Sequence, residues 1–359
     1  MTFDGYVAGS RTSAATNRDG TAGRLLLSRI SAVHWLYILS ADYASPHYDP
    51  NDLGYFARPH DRGGYAQLIY HEDFASSPFL RYSFSVIPEA RWNWDGARTY
   101  SQVEASFGCD LTNFWQLGIA ARLQPPSYED AERGIIGLRR RPVAQETELR
   151  VVSDTRALFS GSLAVTYGTD SRRKQSLSAS VSLTLRPTSW AEIVPFVYYQ
   201  RTRRETAWLF PDGNIVDPAV SPSPFSVFGD RDVDQVDLAC RAIVTFTRTL
   251  SLQGFAQVLI ARGRYQDYAR VGSSGDLVQY DFAASPAYTS HDFNETTLNA
   301  NILLRWEFLP GSSFYLAWTQ ERAGYWGLYE QSIGTSFRRT FALPQENVLL
   351  AKVTYWFSL

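Results

Sequence analysis

The chain has 359 residues, with 34 basic and 36 acidic side chains and a formal net charge of −2, so nothing draws it to nucleic acid or to an anionic surface. Its mean hydropathy is −0.24, and its most apolar run, Ala32 to Leu39, is short and contains His34. No segment approaches the ~20 apolar residues of a membrane-spanning helix.

Aromatic residues make up 14% of the chain, with 21 Tyr and 10 Trp. That is high for a soluble domain, and it is what the aromatic girdles of a transmembrane β-barrel require. A membrane protein of this hydropathy has to be a barrel, the other architecture that satisfies every backbone group in lipid. The two cysteines, Cys109 and Cys240, fall on apolar strand faces and have no metal-ligand spacing, so they read as small apolar residues. The first residues, Met1 to Gly20, lack the apolar core of a signal peptide. Since a barrel must be exported, the expectation is a longer precursor.

In chain order, Thr2–Ser10 is a short strand, followed by a polar linker to Gly23. Leu25 to Tyr43 reads as one strand region, with Val33, Trp35, Tyr37, Leu39 and Ala41 on one face. Ser45 to Tyr55 is dense in turn formers. Strands follow near 63–73 and 79–94, the second ending at Trp92-Asn-Trp94-Asp-Gly96, aromatics running into a tight turn. The strand 98–109 sets Val103, Ala105, Phe107 and Cys109 against Gln102, Glu104 and Ser106. The next, 113–123, sets Trp115, Leu117, Ile119, Ala121 and Leu123 against Gln116, Gly118 and Arg122.

After a polar excursion from Gln124 to Glu146, segments 147–153 and 157–168 pair around Ser153-Asp-Thr-Arg156. The cleanest alternation follows. Leu177, Ala179, Val181, Leu183 and Leu185 face one way, and Ser176, Ser178, Ser180, Ser182 and Thr184 the other. Period two means a strand whose two faces meet different solvents. It recurs around Leu238–Phe246 against Asp237 and Arg241, around Leu252–Ile260, and around Leu298–Phe308 against Arg305 and Glu307. It closes the chain at Asn347 to Leu359, where Leu349, Ala351, Val353, Tyr355, Phe357 and Leu359 oppose Leu350, Lys352, Thr354, Trp356 and Ser358.

Short connections (Leu111-Thr112, 153–157, 187–189, 248–249, 309–312) alternate with long polar ones (124–146, 203–233, 264–294, 323–344). Outer-membrane barrels have short periplasmic turns and long extracellular loops. The expected fold is therefore all-β, a transmembrane outer-membrane β-barrel, antiparallel and up-and-down. Parity from a periplasmic C-terminus gives about 14 strands, with 16 as the alternative, over 24–359; residues 1–23 form an N-terminal segment or partial strand. Glu104, Arg122, Asp237, Arg241, Arg305, Glu307 and Lys352 should face the lumen, and Tyr355, Phe357 and Leu359 should form the assembly signal.

Several segments carry a likeness. They are Tyr43 to Phe56, Ser153-Asp-Thr-Arg156, Asn301 to Phe314 (including Arg305-Trp-Glu307 and Pro310-Gly-Ser312), Leu316-Ala-Trp-Thr-Gln320, and Asn347 to Phe357. Together they resemble the large outer-membrane barrel domain of unknown function that in bacteria usually follows a family-nine-like carbohydrate-binding domain. The resemblance implies outer-membrane lipids and the barrel assembly machinery as partners, and carbohydrate through an N-terminal domain that this chain lacks. It supplies no catalytic residues.

The residues themselves carry little chemistry. Asp230-Arg-Asp-Val-Asp234 has the first acidic spacings of a calcium loop, but Gln235 stands where Gly is needed and Arg241 where Glu is. Asp49-Pro-Asn-Asp52 reads as side-chain caps of a turn. The five histidines have no metal spacing, Gly272-Ser-Ser-Gly275 is not a nucleophile elbow, and His291-Asp292 lacks a nucleophile motif beside it. Neither an enzyme nor a cofactor site is expected. Two functions remain: a channel or transport barrel with a mixed-charge lumen, or a non-conducting anchor (or outer-membrane enzyme) holding an attached carbohydrate-binding domain.

Overall fold

A computed structural model describes residues 1–12, 18–51, 59–73, 76–130, 138–209, 214–216, 220, 224–285, 288–327, 329 and 332–357. Sixteen long strands follow one another in a single antiparallel sheet, each bonded to the next. They are β1 (Thr2–Thr12), β2 (Arg18–Arg29), β3 (Trp35–Ala44), β4 (Asp61–Glu72), β5 (Phe79–Asn93), β6 (Arg98–Leu111), β7 (Gln116–Gln124) and β8 (Ala144–Val152). The second half comprises β9 (Phe159–Asp170), β10 (Gln175–Thr188), β11 (Ala191–Trp208), β12 (Phe225–Thr245), β13 (Leu250–Val271), β14 (Phe293–Leu309), β15 (Ser312–Trp326) and β16 (Glu346–Thr354). One α-helix, α1 (Ile333–Thr340), precedes β16 and is capped by the Ser332 hydroxyl, which accepts from the Thr335 amide. Among the described residues, β1 and β16 each pair on one side only.

The sheet divides the first strand region differently from the expectation. Leu25 to Tyr43 is not one strand but the end of β2 and most of β3, joined across 30–34 and paired from Ala22↔Ala44 to Arg29↔Tyr37. The turn sequence Ile30-Ser-Ala-Val-His34 has no Gly, Pro, Asn or Asp, so nothing in it punctuates the apolar run. β2 also runs through the boundary expected between residues 23 and 24. The division adds one strand and β1 adds another, so the described sheet has sixteen long strands where 14, or alternatively 16, were expected for a barrel.

The connections differ sharply between the two ends of the sheet. At one end they are 30–34, 73–78, 112–115, 153–158, 189–190, 246–249 and 310–311. At the other, the longest are 45–60, 125–143, 209–224, 272–292 and 327–345. The expected loops 203–233 and 264–294 shrink, because β11, β12 and β13 continue well past the alternating region. There both faces carry charge, Glu205 opposite Arg231, Asp232 opposite Arg264 and Asp234 opposite Arg262, so the period-two signal fades while the backbone pairing continues.

Two short turns show how local sequence sets this pattern. After β5, Gly96 takes φ +87°, and the Asn93 side-chain oxygen accepts from the Ala97 amide at 2.8 Å. Between β14 and β15, Gly311 takes φ +78°, and a Cβ there would lie 3.0 Å from that of Trp356. The Ser312 hydroxyl then accepts from the Trp356 amide at 3.0 Å. The Pro-Gly-Ser turn therefore fastens the end of the last strand.

Burial is inverted relative to a soluble sheet. On β10, Leu177, Val181 and Leu183 are 39%, 38% and 43% exposed, more than the serines between them. The same holds for Phe84 on β5, Ile119 on β7 and Trp306 on β14, whereas β16 is exposed on both faces and Ile260 and Leu298, at the long-loop end of the apolar face, are buried. Trp35, Tyr70, Tyr82 and Phe107 touch in sequence across β3 to β6 on this apolar face, with ring centroids 5.0, 6.2 and 6.4 Å apart. Cys109 and Cys240 lie on it as free thiols, the first buried beside Tyr82 and Leu117 and the second exposed. A buried apolar cluster sits at the long-loop end, where Leu209, Ile215 and Phe282 pack on Phe225 and Val227 of β12.

Candidate functional site: the polar face of the sheet

The register puts the seven expected lumen residues on one face. Glu104 stands opposite Arg122, and Arg122 opposite Glu146, on three adjacent strands. Asp237 and Arg241 share a face on β12, Arg241 standing opposite Phe255, which stands opposite Asn301 of β14. Four residues along β14, Arg305 stands opposite Tyr315, which stands opposite Lys352.

The side chains close into ion networks rather than standing alone. Arg122 donates through Nε to Glu104 Oε2 at 2.6 Å and through Nη1 to Glu146 Oε1 at 2.5 Å. It lines a cavity of about 410 Å³ together with Tyr100, Gln102, Gln124, Glu146 and Lys174. Asp237 accepts from Gln257 Nε2 at 2.8 Å, and Arg305 donates to Glu307 at 3.2 Å and to the Tyr315 hydroxyl at 3.4 Å. The structure brings Glu104 and Arg122 together, and likewise Arg305, Glu307 and Tyr315. It leaves Arg241 exposed and apart from them.

A second network was missed in the sequence. Arg91 of β5 reaches over Gly63 of β4, donating to Asp42 of β3 at 2.6 and 3.1 Å and to Asp61 at 2.5 and 2.7 Å. A Cβ at Gly63 would lie 2.8 Å from Arg91 Cγ and 2.5 Å from the Ala90 carbonyl, so only glycine leaves the path clear. The Gly63-Gly64 pair inside a strand was the available signal. Nearer the long loops, Glu205 accepts from Lys174 at 2.7 Å and from Arg231 at 2.6 Å.

Asp230-Arg-Asp-Val-Asp234 lies in β12, and arginines of the neighbouring strands occupy its carboxylates: Arg264 on Asp232, Arg203 and Arg262 on Asp234. Asp230 itself is pushed up to about 6 by burial and by Asp267. Among the described residues no cluster of His, Cys, Asp and Glu could hold a metal ion. His291 contacts the Thr289 carbonyl at 2.9 Å, Gly272 and Gly275 bracket a turn, and Asp49 accepts from the Asn51 amide, as a turn cap does. Asp52 and Leu359 lie outside the described residues.

At the short-turn end, Arg156 binds Asp154 at 2.8 Å and stacks on Phe114 at 3.2 Å, joining two neighbouring turns. The same arginine, with its backbone amide, holds the Asp154 carboxyl at about 2. At the long-loop end, the hairpin of Ser127–Glu129 with Arg139–Arg141, which links β7 to β8, meets the turn after β13: the Arg140 amide donates to the Gly275 carbonyl at 2.9 Å. Arg140 and Arg172 also approach Asp276, at 3.8 and 4.0 Å. β8 and β13 stand five pairings apart in the sheet, and the loops bridge that distance.

The fold and its polar face define an all-β antiparallel protein whose sheet has one largely exposed apolar face and one charged face. By sequence, a family model described as a domain of unknown function (DUF5916) matches residues 1–358, so the chain belongs to that family. A search of curated proteins finds no match to it.

Proposed function

We propose that the chain is an outer-membrane β-barrel in which β1 pairs with β16 and the polar face lines a water-filled lumen for small polar solutes. The observation that carries this reading is the inverted exposure. Rows of Leu, Val, Ile and Phe stand outward, while Glu104, Arg122, Glu146, Asp42 and Arg91 satisfy one another on the opposite face. In water that arrangement leaves a large apolar surface uncovered. In lipid it is the expected one.

Sixteen is an even number, so β1 starts at the end of the sheet where β16 finishes, and the two run antiparallel as closure needs. Closing the sheet removes both open edges, whose unpaired groups would cost several kcal/mol each in hydrocarbon. The short turns are periplasmic and the long loops extracellular. No helix among the described residues is long and apolar enough to cross a membrane; crossing falls to the strands.

The lumen carries both signs of charge within a few ångströms, which gives weak rather than steep ion selectivity. A second reading is favoured by the loop contact at Arg140 and Gly275, which lies at the extracellular mouth: a closed barrel that anchors an attached carbohydrate-binding domain. Single-channel recording of the purified chain in planar bilayers separates them. Ohmic openings support the channel, and a silent bilayer with correctly inserted protein supports the anchor.

A further inference from the structure

One row of the polar face is left hollow. His71 of β4, Ser83 of β5, Gly108 of β6, Gly118 of β7 and Arg150 of β8 stand side by side across five strands. They line a cavity of about 540 Å³ at the short-turn end of the sheet, with Gln116 and the Arg81–Asp110 pair in the next row. Glycine weakens a strand interior, and it often marks a place where something approaches the backbone closely. At Gly63 and Gly64 that something is the protein itself, since a Cβ would collide with the Ala90 and Ser40 carbonyl oxygens. At Gly108 and Gly118 a Cβ would meet nothing nearer than 3.8 Å. Packing does not require these two glycines, and the bare backbone they leave forms the floor of the cavity.

The charged groups that line the cavity are paired, with one exception. Arg81 donates to Asp110 at 2.6 Å. His71 meets Asp73 through Nδ1 at 3.1 Å and the Ala32 carbonyl through Nε2 at 3.2 Å. Arg150 has neither a hydrogen bond nor an ion pair among the described residues. Glu148, in the adjacent row of β8, neither lines the cavity nor reaches the guanidinium.

We propose that this hollow binds a small solute bearing one carboxylate and several hydroxyl groups, the carboxylate on Arg150 and the hydroxyls on Ser83 and Gln116. The inference rests on the lumen reading above and names a solute class for it. Guanidinium matches a carboxylate through two parallel N–H···O bonds. A hydroxyl and an amide both donate and accept, as solute hydroxyls need. One unpaired cation suits one negative charge, and the volume falls within the roughly 300–1,000 Å³ of small-ligand pockets.

The test uses the full chain refolded in detergent micelles, with R150Q, R150K and G108I beside it. Calorimetric titration compares gluconate, its uncharged amide gluconamide, and inorganic phosphate. Gluconate should bind the native chain about tenfold more tightly than gluconamide, and R150Q should lower gluconate affinity by a similar factor, as the loss of one charge-assisted contact implies. R150K should recover part of the loss. G108I keeps the arginine but fills the hollow, and should abolish binding in a chain that still inserts. Equal binding of gluconate and gluconamide, or unchanged affinity in R150Q or G108I, overturns the proposal. Phosphate bound as tightly as gluconate would make this a general anion site and the carboxylate assignment wrong. Insertion and conductance are scored separately, by heat-modifiable mobility and by bilayer recording. A chain that inserts and conducts without binding gluconate overturns this proposal alone. A silent bilayer with binding that depends on Arg150 overturns the channel and leaves the site, and a chain that never becomes heat-modifiable overturns both.

Discussion

Removing Arg122 tests the polar face as a lumen. R122Q leaves Glu104 and Glu146 on strands two apart, about 10 Å between backbones at the usual strand spacing, with no cation between them. Two charge-assisted bonds, 2.6 and 2.5 Å, are lost. Fully buried, each would contribute about 1.5–3 kcal/mol. The Arg122 side chain is 33% exposed, so solvent screening reduces the pair together to about 1–2 kcal/mol. The local charge of the triad changes from −1 to −2. Urea unfolding followed by heat-modifiable mobility should show the stability loss, and the reversal potential under a salt gradient should move toward cation selectivity. E104Q/R122Q should restore the triad to −1 and recover most of the shift, the two substitutions coupling rather than adding. An unchanged reversal potential in a conducting R122Q would show that this face does not line the pore.

On the proposed membrane reading only the apolar face meets lipid, so Arg at Val181 or Ile302 should cost about 2–4 kcal/mol in refolding into vesicles and Arg at Ser180 or Asn301 little; equal damage would mean that the faces are misassigned. Changing Tyr355 and Phe357 to Asp should abolish outer-membrane insertion, seen as degraded or periplasmic chain, whereas changing Thr354 should not. Protease added to intact cells should cut within 125–143, 209–224, 272–292 or 327–345 and spare 189–190 and 310–311, and the opposite pattern would invert the topology. Asp230, raised to about 6 in the folded chain, holds its proton more tightly folded than unfolded, so its contribution is complete below about 4 and lost as pH rises through 6. D230N should flatten that dependence in amide exchange of β12 residues 225–231 between pH 4 and 7.

The alternation from Leu177 to Leu185 was legible because the two faces of a strand between unlike surroundings, lipid and water on the proposed reading, carry opposite residue types whatever the register. Past Arg203 and Asp230 both faces of the strands carry charge, so alternation no longer reports pairing. The turn at Ile30 to His34 was hidden for the opposite reason, being apolar where turns are usually polar. Ion partners such as Arg91 with Asp42 depend on cross-strand register, which one sequence does not reveal. The helix Ile333–Thr340 is too short for its periodicity to stand out, and its Ser332 cap was the available signal.

The central claim is that one face of this sheet meets lipid and the other meets water. Spin labels placed singly at each position from 177 to 185 in the vesicle-inserted chain measure this directly, through collision with oxygen and with a water-soluble nickel chelate. Oxygen accessibility should peak at 177, 179, 181, 183 and 185, and nickel accessibility at 178, 180, 182 and 184. Equal nickel accessibility at both sets would contradict the account.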